Sequence, residues 1–134
     1  MSIERFLQAQ EYDYAYALEE VRAGEKTTHW IWYIFPQVKG LGSSRTSIYY
    51  GINGLSEARE YLANETLRNR LVEISEAFYA LEGKSAKDVF GPDAVKVRSC
   101  MTLFAKAAPS LAIFQKVLDK YYDGKMDPLT LRML

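Results

Sequence analysis

The only histidine of this 134-residue chain, His29, opens the run Trp30-Ile-Trp-Tyr-Ile-Phe-Pro-Gln37, and Lys39-Gly-Leu-Gly-Ser-Ser-Arg45 follows at once. An imidazole is the one side chain that titrates near neutrality unaided, which makes His29 the natural proton donor or acceptor. Trp32 can stack a planar ring or exclude water, and the Gln37 amide can both donate and accept. The loop adds backbone N–H groups, the Ser44 hydroxyl and the Arg45 guanidinium, a set suited to phosphate or carboxylate. It lacks the lysine and the third glycine of the Walker and dinucleotide motifs.

A second group lies at Asp93, Lys96, Arg98 and Ser99. On a helix, Lys96 and Ser99 share a face, whereas Arg98 lies with Thr102. Lys96 is therefore the candidate for holding negative charge, and Ser99 is a candidate nucleophile for His29, although no Gly-x-Ser-x-Gly elbow surrounds it. The charge pattern links the two groups. Acids are absent between Lys26 and Ser56 and again between Ala94 and Leu118, while lysines and arginines occur in both stretches. If these stretches face each other, they form a locally positive cleft for a small anionic, nucleotide-like ligand. A plain reading competes at every position: tryptophans as core, the glycine loop as a turn, and Asp93 with Lys96 as a surface pair.

Seventeen basic against seventeen acidic residues give no net charge, so duplex nucleic acid is not an expected partner despite ten tyrosines. One cysteine, Cys100, excludes an intrachain disulfide, and with one histidine it makes a zinc site improbable. No metal and no cofactor are expected. The N-terminus has no basic and apolar leader pattern, and the longest apolar run, Trp30 to Phe35, is too short to span a bilayer. A cytoplasmic protein with no membrane association is the expectation.

These side chains must be positioned by helices. Ile3, Phe6, Leu7, Gln10, Tyr14, Ala17, Leu18 and Val21 recur at helical spacing, with Gly24 as the stop. Residues 30–35 are apolar on all sides and fit helix or strand, but Thr28 as N-cap and Pro36 as stop favour a short buried helix. Under a helical reading His29, Trp32 and Tyr33 share one side. Ser56 and Asn64 are candidate caps for the next two helices, the second carrying Leu67, Leu71, Ile74, Phe78 and Leu81 and ending at Gly83. Ser85 to Asp88 has capping-box spacing. Pro92 opens a helix bearing Val97, Cys100, Met101 and Phe104, and Pro109-Ser110 opens another that Gly124 closes. The sum is an all-α, compact, multi-helical fold of about seven helical segments in a single domain, residues 1–134.

Ala9-Gln10, His29 to Gln37, Gly40-Leu-Gly-Ser-Ser44, Tyr50-Gly-Ile52, Phe90-Gly, Arg98-Ser99, Met101-Thr-Leu-Phe104 and Asp127 to Leu131 resemble DUF1810, a family of unknown function. The resemblance implies a multi-helical single domain and no particular reaction. Cys100 departs from it, since a second serine normally follows Ser99. The alternative to a ligand site is an interaction module. In that reading the exposed tyrosines or the apolar tail Pro128 to Leu134 dock a partner, and the tail either packs on its own domain or joins subunits of a homo-oligomer.

Overall fold

The computed structural model describes residues 3–134. Among these, nine α-helices and one 3-10 turn are present and no strand. The helices are α1 (Glu4–Ala23), α2 (Ile31–Ile34), α3 (Arg45–Tyr49), α4 (Gly54–Ala63), α5 (Glu65–Tyr79), α6 (Ala86–Phe90), α7 (Ala94–Ala107), α8 (Ile113–Tyr121) and α9 (Pro128–Arg132). The all-α expectation holds, and the count rises because the stretch after the glycine loop and the C-terminal tail each fold into a short helix, α3 and α9. None of the helices is long and apolar enough to cross a membrane.

Local chemistry sets most of the boundaries. Gly24 ends α1 in the left-handed conformation, the position where a Cβ is penalised. Asn64 caps α5 by accepting from the Leu67 amide, and Ser85 with Asp88 forms a reciprocal capping box on α6. Four expectations need correction. Thr28 does not cap α2, because its hydroxyl is bound to Glu20. Ser56 lies inside α4, which begins after Asn53. The longer helix stops at Tyr79, before Gly83, and α8 starts only at Ile113.

α7 is the spine of the molecule. Val97, Cys100, Met101, Leu103 and Phe104 are all fully buried, and the helix packs against α4, α8 and α9. Cys100 is a core residue, its thiol pushed well up by burial. α1 packs on α5 and α2, which brings the Trp30–Phe35 run into the same core. Trp30, Ile31, Ile34 and Phe35 are buried there, so the short-helix reading of this run is the one observed.

Two glycines permit the close approaches that shape the region after α2. The chain on either side of Val38 pairs in parallel with Ile52, through Lys39 N to Ile52 O at 2.8 Å and Ile52 N to Gln37 O at 2.9 Å. A Cβ on Gly51 would lie 2.8 Å from the Lys39 Cα, so only glycine fits beneath this crossing. A Cβ on Gly42 would meet Ser47 at 2.7 Å and Trp32 at 3.3 Å, so the loop lies directly on both.

Candidate functional site

Glu20 fixes the segment that carries His29. Its carboxylate accepts from the Thr27 and Thr28 amides, the Thr28 hydroxyl and the Trp30 indole N–H. Burial pushes its pKa up, but these four donors outweigh it and hold the group at about 2. Trp30 is thereby anchored in the core. His29 is left exposed at the mouth of a cavity of about 320 Å³, which it lines with Lys26, Trp32, Ser44, Asp93 and Lys96, among others.

A second cavity, of about 360 Å³, adjoins the first and shares Trp32 and Lys96 with it. Gln37, Leu41, Ser99, Asp127 and Leu129 also line it. The Lys96 ammonium sits 4.9 Å from the centre of the Trp32 ring, a cation–π contact at the divide between the two lobes. Both volumes fall within the range of roughly 300–1,000 Å³ usual for small-molecule sites. A larger concavity, about 740 Å³, is an open groove on α5 where Arg22 and Arg68 face Glu73 and Glu76. Its charges already match, and none of the chemistry-bearing motif residues reaches it.

The two acid-free segments meet at Trp32 and Lys96, but the positive cleft is not unopposed. Asp93 accepts from Lys96 at 2.8 Å and from Lys26 at 3.1 Å. Burial raises the Asp93 pKa, and the two lysines more than reverse this, so the carboxyl stays below its ordinary value. Across both lobes three cations, Lys26, Lys96 and Arg98, face two carboxylates, Asp93 and Asp127. A modest positive excess remains, and Lys96 is more accessible than Lys26.

Six of the seven residues singled out in the sequence line this two-lobed cleft: His29, Trp32, Ser44 and Lys96 in the first lobe, and Trp32, Gln37, Lys96 and Ser99 in the second. Arg45 is not brought to it. It lines a separate cavity with Arg5, Lys39, Ile48 and Tyr49. Ser44 caps α3 by accepting from the Ser47 amide and donates to the Ser47 hydroxyl, so its own hydroxyl is engaged by the fold at the edge of the cleft.

Ser99 and His29 do not line the same lobe, and the hydroxyl of Ser99 is engaged elsewhere. Its Oγ lies 3.0 Å from Asp127 Oδ2 and 3.1 Å from the Val95 carbonyl oxygen. Asp127 is the N-cap of α9, accepting from both the amide and the hydroxyl of Thr130. Burial raises its pKa, and the donors from Thr130 and Ser99 bring it below the ordinary value. Arg98 holds the carbonyls of Lys125 and Met126, and Thr102 accepts from the Asp127 amide. The Arg98-Ser99-x-x-Thr102 pattern thus clasps the C-terminal segment onto α7. Arg98 reaches the rim of the second lobe too, although its face of the helix was expected to point away. Sequence reasoning missed Asp127 as a cavity residue. Its signal was the Asp-Pro-x-Thr N-cap spacing ahead of an apolar stretch.

Gln37 is the exception to this saturation. It is 4% exposed, and its Nε2 is buried with no hydrogen-bond partner among the described residues. Its backbone carbonyl is committed to Ile52, which fixes the residue at the cavity wall.

Comparison with known proteins adds kinship but no reaction. A family described as a protein of unknown function (DUF1810) matches residues 1–134. The crystal structure of the conserved hypothetical protein Rv1873 from Mycobacterium tuberculosis superposes with a TM-score of 0.97 at 43% identity, over 98% of this chain and 95% of that one. No curated protein matches.

Proposed function

Because this chain belongs to the DUF1810 family, which carries no assigned function, we propose its function from the site itself: it binds a small anionic, nucleotide-like ligand across the two lobes that meet at Trp32 and Lys96. The observation that carries this reading is the Gln37 amide. A buried donor with no partner costs about 1–3 kcal/mol, a cost that a ligand acceptor in the second lobe would recover once the enclosed amide turns toward it. In the first lobe Lys96 and His29 supply charge and hydrogen bonds for an anionic group, and the Ser44 hydroxyl joins them by turning away from Ser47. Trp32, shared by both lobes, supplies an apolar ring face between them. If the ligand is turned over, His29 is the group that moves the proton, and Ser99 serves as a positioning residue through Asp127.

The test is isothermal titration of the purified chain with ribonucleoside 5′-monophosphates and inorganic phosphate. Lys96→Met should weaken binding at least tenfold, whereas Arg45→Ala should leave it unchanged. Binding that ignores Lys96→Met, or no binding of any of these anions, would refute the reading.

A second reading, an interaction module, draws support from Tyr12 and Tyr16, which project from α1 at 77% and 66% exposure, and from Leu129, Leu131, Met133 and Leu134, exposed on and after α9. Sedimentation at increasing concentration separates the two, since a Leu131→Glu variant would abolish self-association without touching the cleft.

A further inference from the structure

We propose that the second lobe reads the edge of a planar heterocycle, one that carries a hydrogen-bond acceptor beside an N–H donor, with Gln37 answering the acceptor and Asp127 answering the donor. This rests on the ligand-binding reading above and assigns it a chemical class.

Three features of the lobe fit together. Gln37 Nε2 is a buried donor without a partner, in a residue that lines the cavity. Asp127 lines the same cavity. Its Oδ2 is spent on Ser99 and Thr130, whereas Oδ1 takes no hydrogen bond among the described residues. Because the fold's own donors keep this carboxyl ionised, it can only accept. The wall therefore holds one donor and one acceptor that the described fold leaves unused, and a turn of the Gln37 amide, whose nitrogen is enclosed in this conformation, would present the donor to an incoming molecule. Apolar groups, the Trp32 ring, Leu41, Val95 and Leu129, line the lobe beside this pair, together with Lys96, Arg98 and Ser99. A ring with an unfunctionalised edge would gain only the stacking. A nucleobase or similar heterocycle would gain the stacking and both hydrogen bonds, and a site built to bond such atoms discriminates strongly against analogues lacking them.

The connection between lobes adds a geometric condition. Trp32 and Lys96 belong to both cavities, so a ring in the second lobe places its substituent toward the ammonium of Lys96 and, beyond it, His29 and Ser44. The ligand is then bipartite: a polar-edged ring with an anionic group attached through a short spacer.

Four probes decide the matter by titration calorimetry on the full chain: inosine 5′-monophosphate, adenosine 5′-monophosphate, benzyl phosphate and inorganic phosphate. The expected result is that at least one nucleotide binds tenfold or more tightly than benzyl phosphate. Gln37→Leu should erase that margin while keeping the thermal midpoint at or above the native value. Asp127→Asn, in which asparagine still caps α9, should shrink the margin too. Equal affinity for nucleotides and benzyl phosphate, or binding of inorganic phosphate alone, overturns this inference and leaves the anion site standing. A margin that survives Gln37→Leu also overturns it. Failure of all four probes to bind overturns both readings.

Discussion

Two buried glutamines divide the molecule into a region that is chemically closed and one that is chemically open. Gln10, on α1, donates to the Tyr33 carbonyl at 2.8 Å and contacts the Tyr61 hydroxyl at 3.0 Å, while its own oxygen accepts from Arg70. On the same helix the Arg5 guanidinium is bonded to the carbonyls of Tyr49 and Gly51 and to both oxygens of Glu57. Gln37, equally buried, has an amide nitrogen with nothing to bond. Buried polar groups are almost always paired, because desolvating them without a partner is costly. The first region obeys that rule as a structural device, and its adjoining cavity, though rimmed by Lys39 and Arg45, has its buried cation already satisfied. The cleft around Trp32 departs from the rule, which is why it, and not the more cationic pocket, is the candidate site.

The comparison is broken most forcefully from the closed side. Glu57→Ala leaves the Arg5 guanidinium buried beside an empty space, and loss of one partner from such a pair costs about 3–5 kcal/mol. Urea unfolding of the variant should show that loss in the midpoint at an unchanged slope. An effect below 1 kcal/mol would mean that the region is not closed in the sense argued. Next in size, Gln10→Leu strands the Tyr33 carbonyl and the Tyr61 hydroxyl and should cost about 1–3 kcal/mol by the same measurement.

The legibility of this chain follows the same division. Periodic apolar residues on α5 and α7, the Gly24 stop and the Ser85 to Asp88 box were readable because each acts through local spacing. So was the tryptophan motif, whose polar ends, His29 and Gln37, proved to face a cleft while Trp30 turned inward. Arg5 could not be read: an arginine one position before Phe6 looks like solvent-facing charge. Only the fold brings the carbonyls of Tyr49 and Gly51, more than forty residues away, around its guanidinium. Arg45 failed for the opposite reason. Its loop neighbours suggested an anion clamp, but α3 begins at that residue and carries it to the far cavity. Asp127 was hidden because its role depends on α9 folding back over α7.

A smaller effect comes from acid. Glu20 has its pKa lowered from 4.5 to about 2 by the donors that fix the His29 segment, against the opposing push of burial. The unfolded chain therefore takes up the proton first as pH falls. The stability that Glu20 contributes is complete above about 4.5 and is lost as pH drops toward 2. Thermal midpoints of the wild type and Glu20→Gln, measured from pH 5 to pH 2.5, should converge as the medium becomes acidic. A constant gap would show that the Glu20 bonds do not depend on its charge.

The smallest effect on stability is the most informative one. Replacing Gln37 by leucine removes a buried N–H that has no partner and supplies apolar surface of similar size, so stability should change by less than about 1 kcal/mol, and upward rather than downward. The same change at Gln10 is predicted to be clearly damaging, although the two residues are the same type at nearly the same burial. The contrast isolates hydrogen-bond satisfaction from side-chain volume, because both substitutions alter volume alike. If Gln37→Leu proves as costly as Gln10→Leu, the Gln37 amide is serving the fold through a bound water or a shifted side chain, and the case for a ligand in the second lobe loses its main support. If it is neutral or stabilising, a polar group that brings the fold no stability has been kept in the wall of a cavity, and a ligand that bonds to it accounts for its presence.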